Sequence, residues 1–143
     1  MVANKDRVDF WLAAKVPGAS FDRSGTATIQ RDADTQVILE LSPSGDICHF
    51  CAIVAPLNEE MPEISLLTAL ELNRFGKPLS GCWMAWEPDF QMLTLCWNLE
   101  LTSADEISFA NAIDNFIAAI DGARKELLPQ AGVSAASALL EMA

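Results

Sequence analysis

Cys48-His49-Phe50-Cys51 is the one string in this chain whose residue types and spacing suggest chemistry. Two cysteines at this spacing make a redox couple when a strand-to-helix turn brings both sulfurs to a helix N-terminus. Here the string falls inside residues 47–55, an apolar run that predicts a β-strand. Positions three apart on a strand face opposite sides, so Cys48 and Cys51 are not expected to meet. A zinc site would need four ligands, usually with a second close pair. Cys82 and Cys96 instead stand alone, each beside a tryptophan on an apolar stretch. The four cysteines are therefore expected to stay reduced and to pack as small hydrophobes, with no metal and no cofactor.

His49 is the single histidine, so any serine or cysteine nucleophile relay would have to use it. No G-x-S-x-G surrounds a serine and no glycine-rich phosphate loop occurs. We expect a histidine on the surface or on an edge strand. The carboxylate pairs Glu59-Glu60 and Asp105-Glu106 fall at expected helix starts, where they suit the positive end of the helix dipole. The chain is read as a binding protein, not an enzyme.

Charge narrows the partner. The net charge of −11 is uneven: residues 1–31 carry five bases and three acids, whereas residues 32–143 carry four bases and seventeen acids. Such a surface repels phosphate backbones and anionic lipid, which argues against nucleic acid and membrane as partners. A basic or neutral protein segment would suit it. No apolar run approaches the roughly 20 residues of a membrane span. The first sixteen residues interleave Lys5, Asp6, Arg7, Asp9 and Lys15 with apolar residues, unlike a signal peptide, so a cytoplasmic bacterial protein is expected. Alongside this acidity stand 51% hydrophobic residues, four Trp and seven Phe. That combination fits either apolar surface covered in an oligomer or by a partner, or a well-filled core on an acidic domain.

The elements that would carry these residues follow from periodicity. Val8, Trp11, Leu12 and Val16 mark a helix over 4–16, stopped by Pro17-Gly18. Strands are expected over 26–30, 36–41 and 47–55, the last two joined by the turn Ser42-Pro43-Ser44-Gly45-Asp46. A second helix should open at Pro62 and run to about Phe75, before Gly76 and Pro78. Its apolar residues lie on two sides, with Ile64, Leu67, Leu72 and Phe75 on one and Leu66, Ala69 and Leu70 on the other. A helix apolar on two sides is expected to be buried on two sides, and in so small a domain another subunit would supply the second contact. Residues 81–87 and 92–101 form an almost wholly apolar hairpin around Pro88-Asp89, holding Trp83, Trp86 and Trp97, with both faces expected to be covered. Ser103-Ala104-Asp105-Glu106 has the spacing of a capping box for a third helix with Phe109, Ile113, Phe116, Ile120, Ala123 and Leu127 in its core stripe. The expected fold is α+β: a single domain over 1–128, in the order α-β-β-β-α-β-β-α. A twisted, largely antiparallel sheet packs with the helices, and an Ala/Ser-rich extension follows over 129–143.

Phe21-Asp22-Arg23-Ser24-Gly25-Thr26-Ala27-Thr28-Ile29 resembles the first strand of the Tir-chaperone (CesT-like) family of type III secretion chaperones, in which a Phe-Asp-x-x-Gly turn leads into a short apolar strand. Residues 37–41, the Ser-Gly-Asp turn and residues 50–57 resemble that family's second and third strands. Leu66-Leu67-Thr68-Ala69-Leu70-Glu71-Leu72-Asn73-Arg74-Phe75 resembles its Leu-rich helix ending in Asn and an aromatic residue. Residues 99–127 resemble its last strand and helix. The resemblance covers about residues 5–128. The hairpin tryptophans, where aliphatics are usual, and the extension after Pro129 depart from the pattern.

The resemblance implies a homodimer that binds the N-terminal chaperone-binding segment of a secreted effector and keeps it soluble, partly unfolded and export-competent. It implies no nucleotide. For the effector groove it points to the first helix and first strands, and we select Phe10, Trp11, Val16, Phe21, Ile29, Val37 and Leu39. For the dimer, the two-sided second helix selects Leu66, Leu70 and Trp83. The rival reading is a small acidic immunity protein or antitoxin that binds a folded toxin.

Overall fold

A computed structural model describes residues 2–56, 62–74 and 79–128. The elements run α1 (Val2–Lys15), β1 (Thr26–Gln30), β2 (Gln36–Leu41), β3 (Ile47–Pro56), α2 (Pro62–Leu72), β4 (Trp83–Glu87), β5 (Met92–Glu100) and α3 (Glu106–Leu128). The strands make one antiparallel sheet in the order β1-β2-β3-β5-β4, and the fold is α+β. The second helix ends at Leu72, not near Phe75; Asn73 N is shared between the carbonyls of Ala69 and Leu70, each at 3.2 Å. Phe75, Gly76, Pro78, the pair Glu59-Glu60 and the extension over 129–143 lie outside the described residues.

By internal contacts the chain forms two compact units. The first comprises Met1–Ala52 and Cys96–Ile117. The turn before β1 is built by Asp22, whose Oδ1 accepts from Ser24 N at 2.9 Å, Ser24 Oγ at 2.7 Å and Thr26 N at 3.0 Å. These bonds, the Ser24 hydroxyl first, hold the Asp22 carboxyl below its ordinary pKa. Gly25 sits at φ +83°, where an L side chain is strained, and its carbonyl accepts from Leu41 N at 2.8 Å. Phe21 N donates to Asp9 Oδ1 at 2.8 Å, tying the turn to α1. The Phe-Asp-x-x-Gly string thus sets the β1–β2 register, in which Ala27 pairs with Leu39 and Ile29 with Val37.

Alternation along these strands sends Ala27, Ile29, Val37, Leu39, Cys48 and Phe50 into the interior of the first unit. There Phe50 packs on Phe116 with ring centroids 5.4 Å apart, and Trp11 on Phe109 at 5.9 Å. Burying a side chain of this size contributes about 1.5–3 kcal/mol. The α3 N-cap is Asp105, not Ser103. Asp105 Oδ1 accepts from Ser108 N at 2.7 Å while Asp105 N donates to Ser108 Oγ at 2.8 Å. This reciprocal pair displaces the S-x-x-E reading because the shorter Asp and Ser side chains reach both backbone groups.

The second unit comprises Ile53–Leu95 and Ala118–Ala143. Its described core contains Val54, Leu72, Leu79, Met84, Leu93, Leu95, Ile120 and Leu127. Arg124 donates from Nε to the Val54 carbonyl and from Nη2 to the Ile53 carbonyl, both at 3.1 Å. The helix and the strand end are thereby joined at two backbone acceptors.

Candidate protein-binding surfaces

In the first unit the sheet's second face is open. Thr28, Gln30, Gln36, Ile38 and Glu40 are exposed, and the register sets Ile38 between Thr28 and Cys51, and Glu40 between Thr26 and His49. Ile38 is the large apolar side chain in this polar row, 38% exposed. Its place is legible in the sequence as the position out of phase with Val37 and Leu39. β1 closes one end of the sheet and so presents a strand edge.

The seven residues selected for a partner groove fall into two sets. Trp11, Phe21, Ile29, Val37 and Leu39 are buried in the first unit, Val37 and Leu39 completely. Phe10 is 67% exposed and Val16 is half-buried. The cause on α1 is helical phase: Trp11 packs beneath the Arg7 guanidinium, 5.1 Å from the ring centroid, and on Phe109, while its neighbour Phe10 is turned outward. Beside the Asp22 turn lies a surface groove of about 450 Å³ lined by Lys5, Arg23, Gly25, Glu40 and Leu41.

In the second unit α2 is reversed relative to an ordinary amphipathic helix. Ser65, Thr68, Ala69 and Leu72 are buried, whereas Ile64, Leu66, Leu67 and Leu70 are exposed, Leu70 by 66%. The Thr68 hydroxyl is satisfied locally by donating to the Ile64 carbonyl at 2.9 Å. On β4, Trp83 and Trp86 are exposed, and Phe90 in the following turn is 71% exposed. The hairpin expected to be covered on both faces is covered unevenly: Met84, Leu93, Thr94 and Leu95 are buried, while Trp83 and Trp86, which alternation sets on opposite faces of β4, are exposed. An apolar groove of about 200 Å³ runs between α2 and β4, lined by Leu66, Ala69, Leu70, Met84, Trp86 and Leu93. Leu66, Leu70 and Trp83, expected at a dimer interface, are all exposed, Leu66 and Leu70 in this groove; Ile64, Leu67, Trp86 and Phe90 are exposed as well.

The CxxC string and the single histidine both lie on β3. Cys48 is fully buried, and burial pushes its thiol up to about 12. Cys51 is on the opposite face and half-buried. His49 lies on β3, the central strand of the five, not on an edge. Its Nδ1 is 2.6 Å from Asn98 Oδ1, and its strand neighbour on β2 is Glu40. Among the described residues no group of three His, Cys, Asp or Glu side chains could hold a metal ion, and no helix is long and apolar enough to cross a membrane.

Comparison with known proteins agrees with this architecture. The model of the Tir chaperone protein (CesT) family matches residues 9–124. No curated protein matches the sequence. Among solved structures, a chain of the HopA1–SchA chaperone–effector complex superposes with a TM-score of 0.65 at 14% identity, covering 87% of this chain and 98% of that one. A chain of the ExsC–ExsE complex gives 0.66 at 15% identity, covering 86% and 95%. A chain of the heterodimeric ExoU–SpcU complex from the type III secretion system of Pseudomonas aeruginosa gives 0.63 at 18% identity, covering 86% and 96%. At these identities the likeness is one of fold.

Proposed function

This chain belongs to the Tir chaperone protein (CesT) family, and from that membership we propose that it is a type III secretion chaperone that holds the N-terminal chaperone-binding segment of a secreted effector in an extended, export-competent form. The family match over residues 9–124 is the observation that carries this reading, since it spans both the open sheet face and the exposed α2 region. An extended segment can add to the β1 edge by backbone hydrogen bonds while its alternate side chains rest on exposed apolar residues. Phe10, Val16 and Ile38 are the contacts the first unit offers. Trp11, Phe21, Ile29, Val37 and Leu39 are buried in the single chain and would support such contacts from within the first unit.

The functional particle in this reading is a homodimer closed through α2 and β4. Four large aliphatic side chains are exposed on the outer face of one helix, with Trp86 beside Leu66 and Leu70 in the groove, an apolar surface that a second copy would cover. Leu66, Leu70 and Trp83 are assigned to its centre. The net charge of −11 keeps such a dimer soluble and favours basic effector segments. The work is done by binding alone in the cytoplasm, with no catalytic step, nucleotide or metal.

Limited proteolysis of the complex made by co-expression with the neighbouring gene product tests the reading. Protection of only a short N-terminal partner segment supports it. Protection of an intact folded domain contradicts it and favours an immunity protein or antitoxin.

A further inference from the structure

The strands β3 and β5 are neighbours in the sheet, and three contacts within the first unit define their register. Leu101 N donates to Asp46 O at 2.7 Å. His49 Nδ1 lies 2.6 Å from Asn98 Oδ1. The rings of Phe50 and Trp97 meet edge-on with centroids 5.3 Å apart. Each pair follows from the last by stepping forward on β3 and backward on β5, as antiparallel strands require. One more step sets Cys51 directly opposite Cys96.

The type of pair follows from the same bond. Asp46 and Leu101 are a hydrogen-bonded pair, so alternation makes His49·Asn98 and Cys51·Cys96 non-hydrogen-bonded pairs, in which Cα atoms stand about 4.5 Å apart and side chains are closest. A disulfide spans Cα atoms roughly 4.4–6.8 Å apart. Both cysteines are half-buried, on the open sheet face, and neither is in a disulfide. The CxxC string therefore contains one member of a thiol pair, whose second member is 45 residues further on. Its other cysteine, Cys48, faces the core and takes no part.

We propose that Cys51 and Cys96 are a cross-strand dithiol that a low-molecular-weight disulfide converts to an intramolecular disulfide. The thiolate of one cysteine attacks the small disulfide, forming a mixed disulfide and releasing one small thiolate. The thiolate of the other cysteine then attacks the protein sulfur of that mixed disulfide and expels the second small thiolate. Two protein thiols lose two protons and two electrons, and the small disulfide is reduced to two thiols. The new bond joins two adjacent strands and closes a long loop of chain, which restricts the unfolded state and raises the unfolding temperature.

The test is a non-reducing peptide map of the full chain after equilibration with mixtures of reduced and oxidised glutathione, quenched with acid. The expected product has lost two hydrogen masses and yields one cross-linked pair of peptides joining Cys51 to Cys96, with Cys48 and Cys82 alkylated as thiols. C48S and C82S should give the same product. C51S and C96S should each stop at a glutathione adduct on the remaining partner. Glutathione adducts on both Cys51 and Cys96 of the unsubstituted chain without a cross-link, a bond involving Cys48 or Cys82, or a bond between two chains would each overturn the proposal. The map of the unsubstituted chain decides this even if a variant fails to fold.

Discussion

The side-chain amide of Asn73 clasps the backbone of Met84 from both sides. Met84 N donates to Asn73 Oδ1 at 2.6 Å, and Asn73 Nδ2 donates to the Met84 carbonyl at 3.1 Å. Met84 sits in β4, which ends the sheet. Asn73 offers Met84 the donor and acceptor that a further strand would offer, so this residue of the edge strand is satisfied by the end of α2 instead. The same bonds align α2 with β4, and this alignment sets Leu66 and Leu70 beside Trp86 in the apolar groove.

Asn73→Ala should therefore destabilise the protein by about 1–3 kcal/mol, because two part-buried backbone groups lose their partner. Urea unfolding followed by tryptophan fluorescence measures it. Asn73→Asp should also destabilise, since a carboxylate keeps the acceptor for Met84 N but sets a negative charge against the Met84 carbonyl. An unchanged midpoint in both variants would mean that the clasp contributes nothing to stability.

If the proposed dimer closes through α2, Leu66→Glu combined with Leu70→Glu should leave the protein monomeric. Both side chains are exposed in the protomer, so each monomer should keep its fold, read as unchanged far-ultraviolet circular dichroism. Sedimentation velocity gives the answer. A double variant that still sediments as a dimer would move the interface away from α2.

On α1 the neighbours Phe10 and Trp11 should separate binding from folding. Phe10→Ala should leave stability nearly unchanged and weaken partner-segment binding by about tenfold, the loss expected for an exposed aromatic anchor. Trp11→Ala should cost about 3–5 kcal/mol of stability, because the ring fills the space against Phe109. Calorimetric titration with the partner's N-terminal segment, beside thermal unfolding, distinguishes the two effects. Equal loss of stability in both variants would contradict the assignment of Phe10 as a surface contact.

Acid should loosen two capping carboxylates. Hydrogen bonds, from the Ser24 side chain to Asp22 and from the Ser108 backbone to Asp105, hold both pKa values below 3.8 in the folded chain. Their stabilising contribution is present above the unfolded value and is lost as pH falls through the lower folded value. Asp22→Asn and Asp105→Asn should therefore be less stable than the unsubstituted protein at neutral pH, with the difference shrinking under strong acid. A difference that stays constant across that range would show that these carboxylates have the same pKa folded and unfolded.

Local signals were the legible part of this fold. β1 and β2 have the expected bounds because strict alternation and a Gly-containing turn leave one register. The apolar stripe of α3 is likewise present, with Phe109, Ile113, Phe116, Ile120 and Leu127 buried. What the chain does between elements was harder to read. Periodicity alone assigned α2 two apolar sides but did not reveal that Ser65 and Thr68 would be turned inward, since that choice depends on the Asn73–Met84 clasp. Phe21, Ile29, Val37 and Leu39 are buried in the single chain, and alternating apolar residues suit the wall of a groove and a core equally. Cys51 and Cys96 meet only through the pairing of β3 with β5, which are separated in sequence by α2 and β4.

The most direct test of the account is the absolute mass of the purified protein by light scattering, alone and with its co-expressed partner. A chaperone dimer gives two copies of the 15.5 kDa chain alone, and the same two copies plus a short N-terminal partner segment after proteolytic trimming of the complex. A single copy alone, or a trimmed complex that retains a whole folded partner domain, would contradict it.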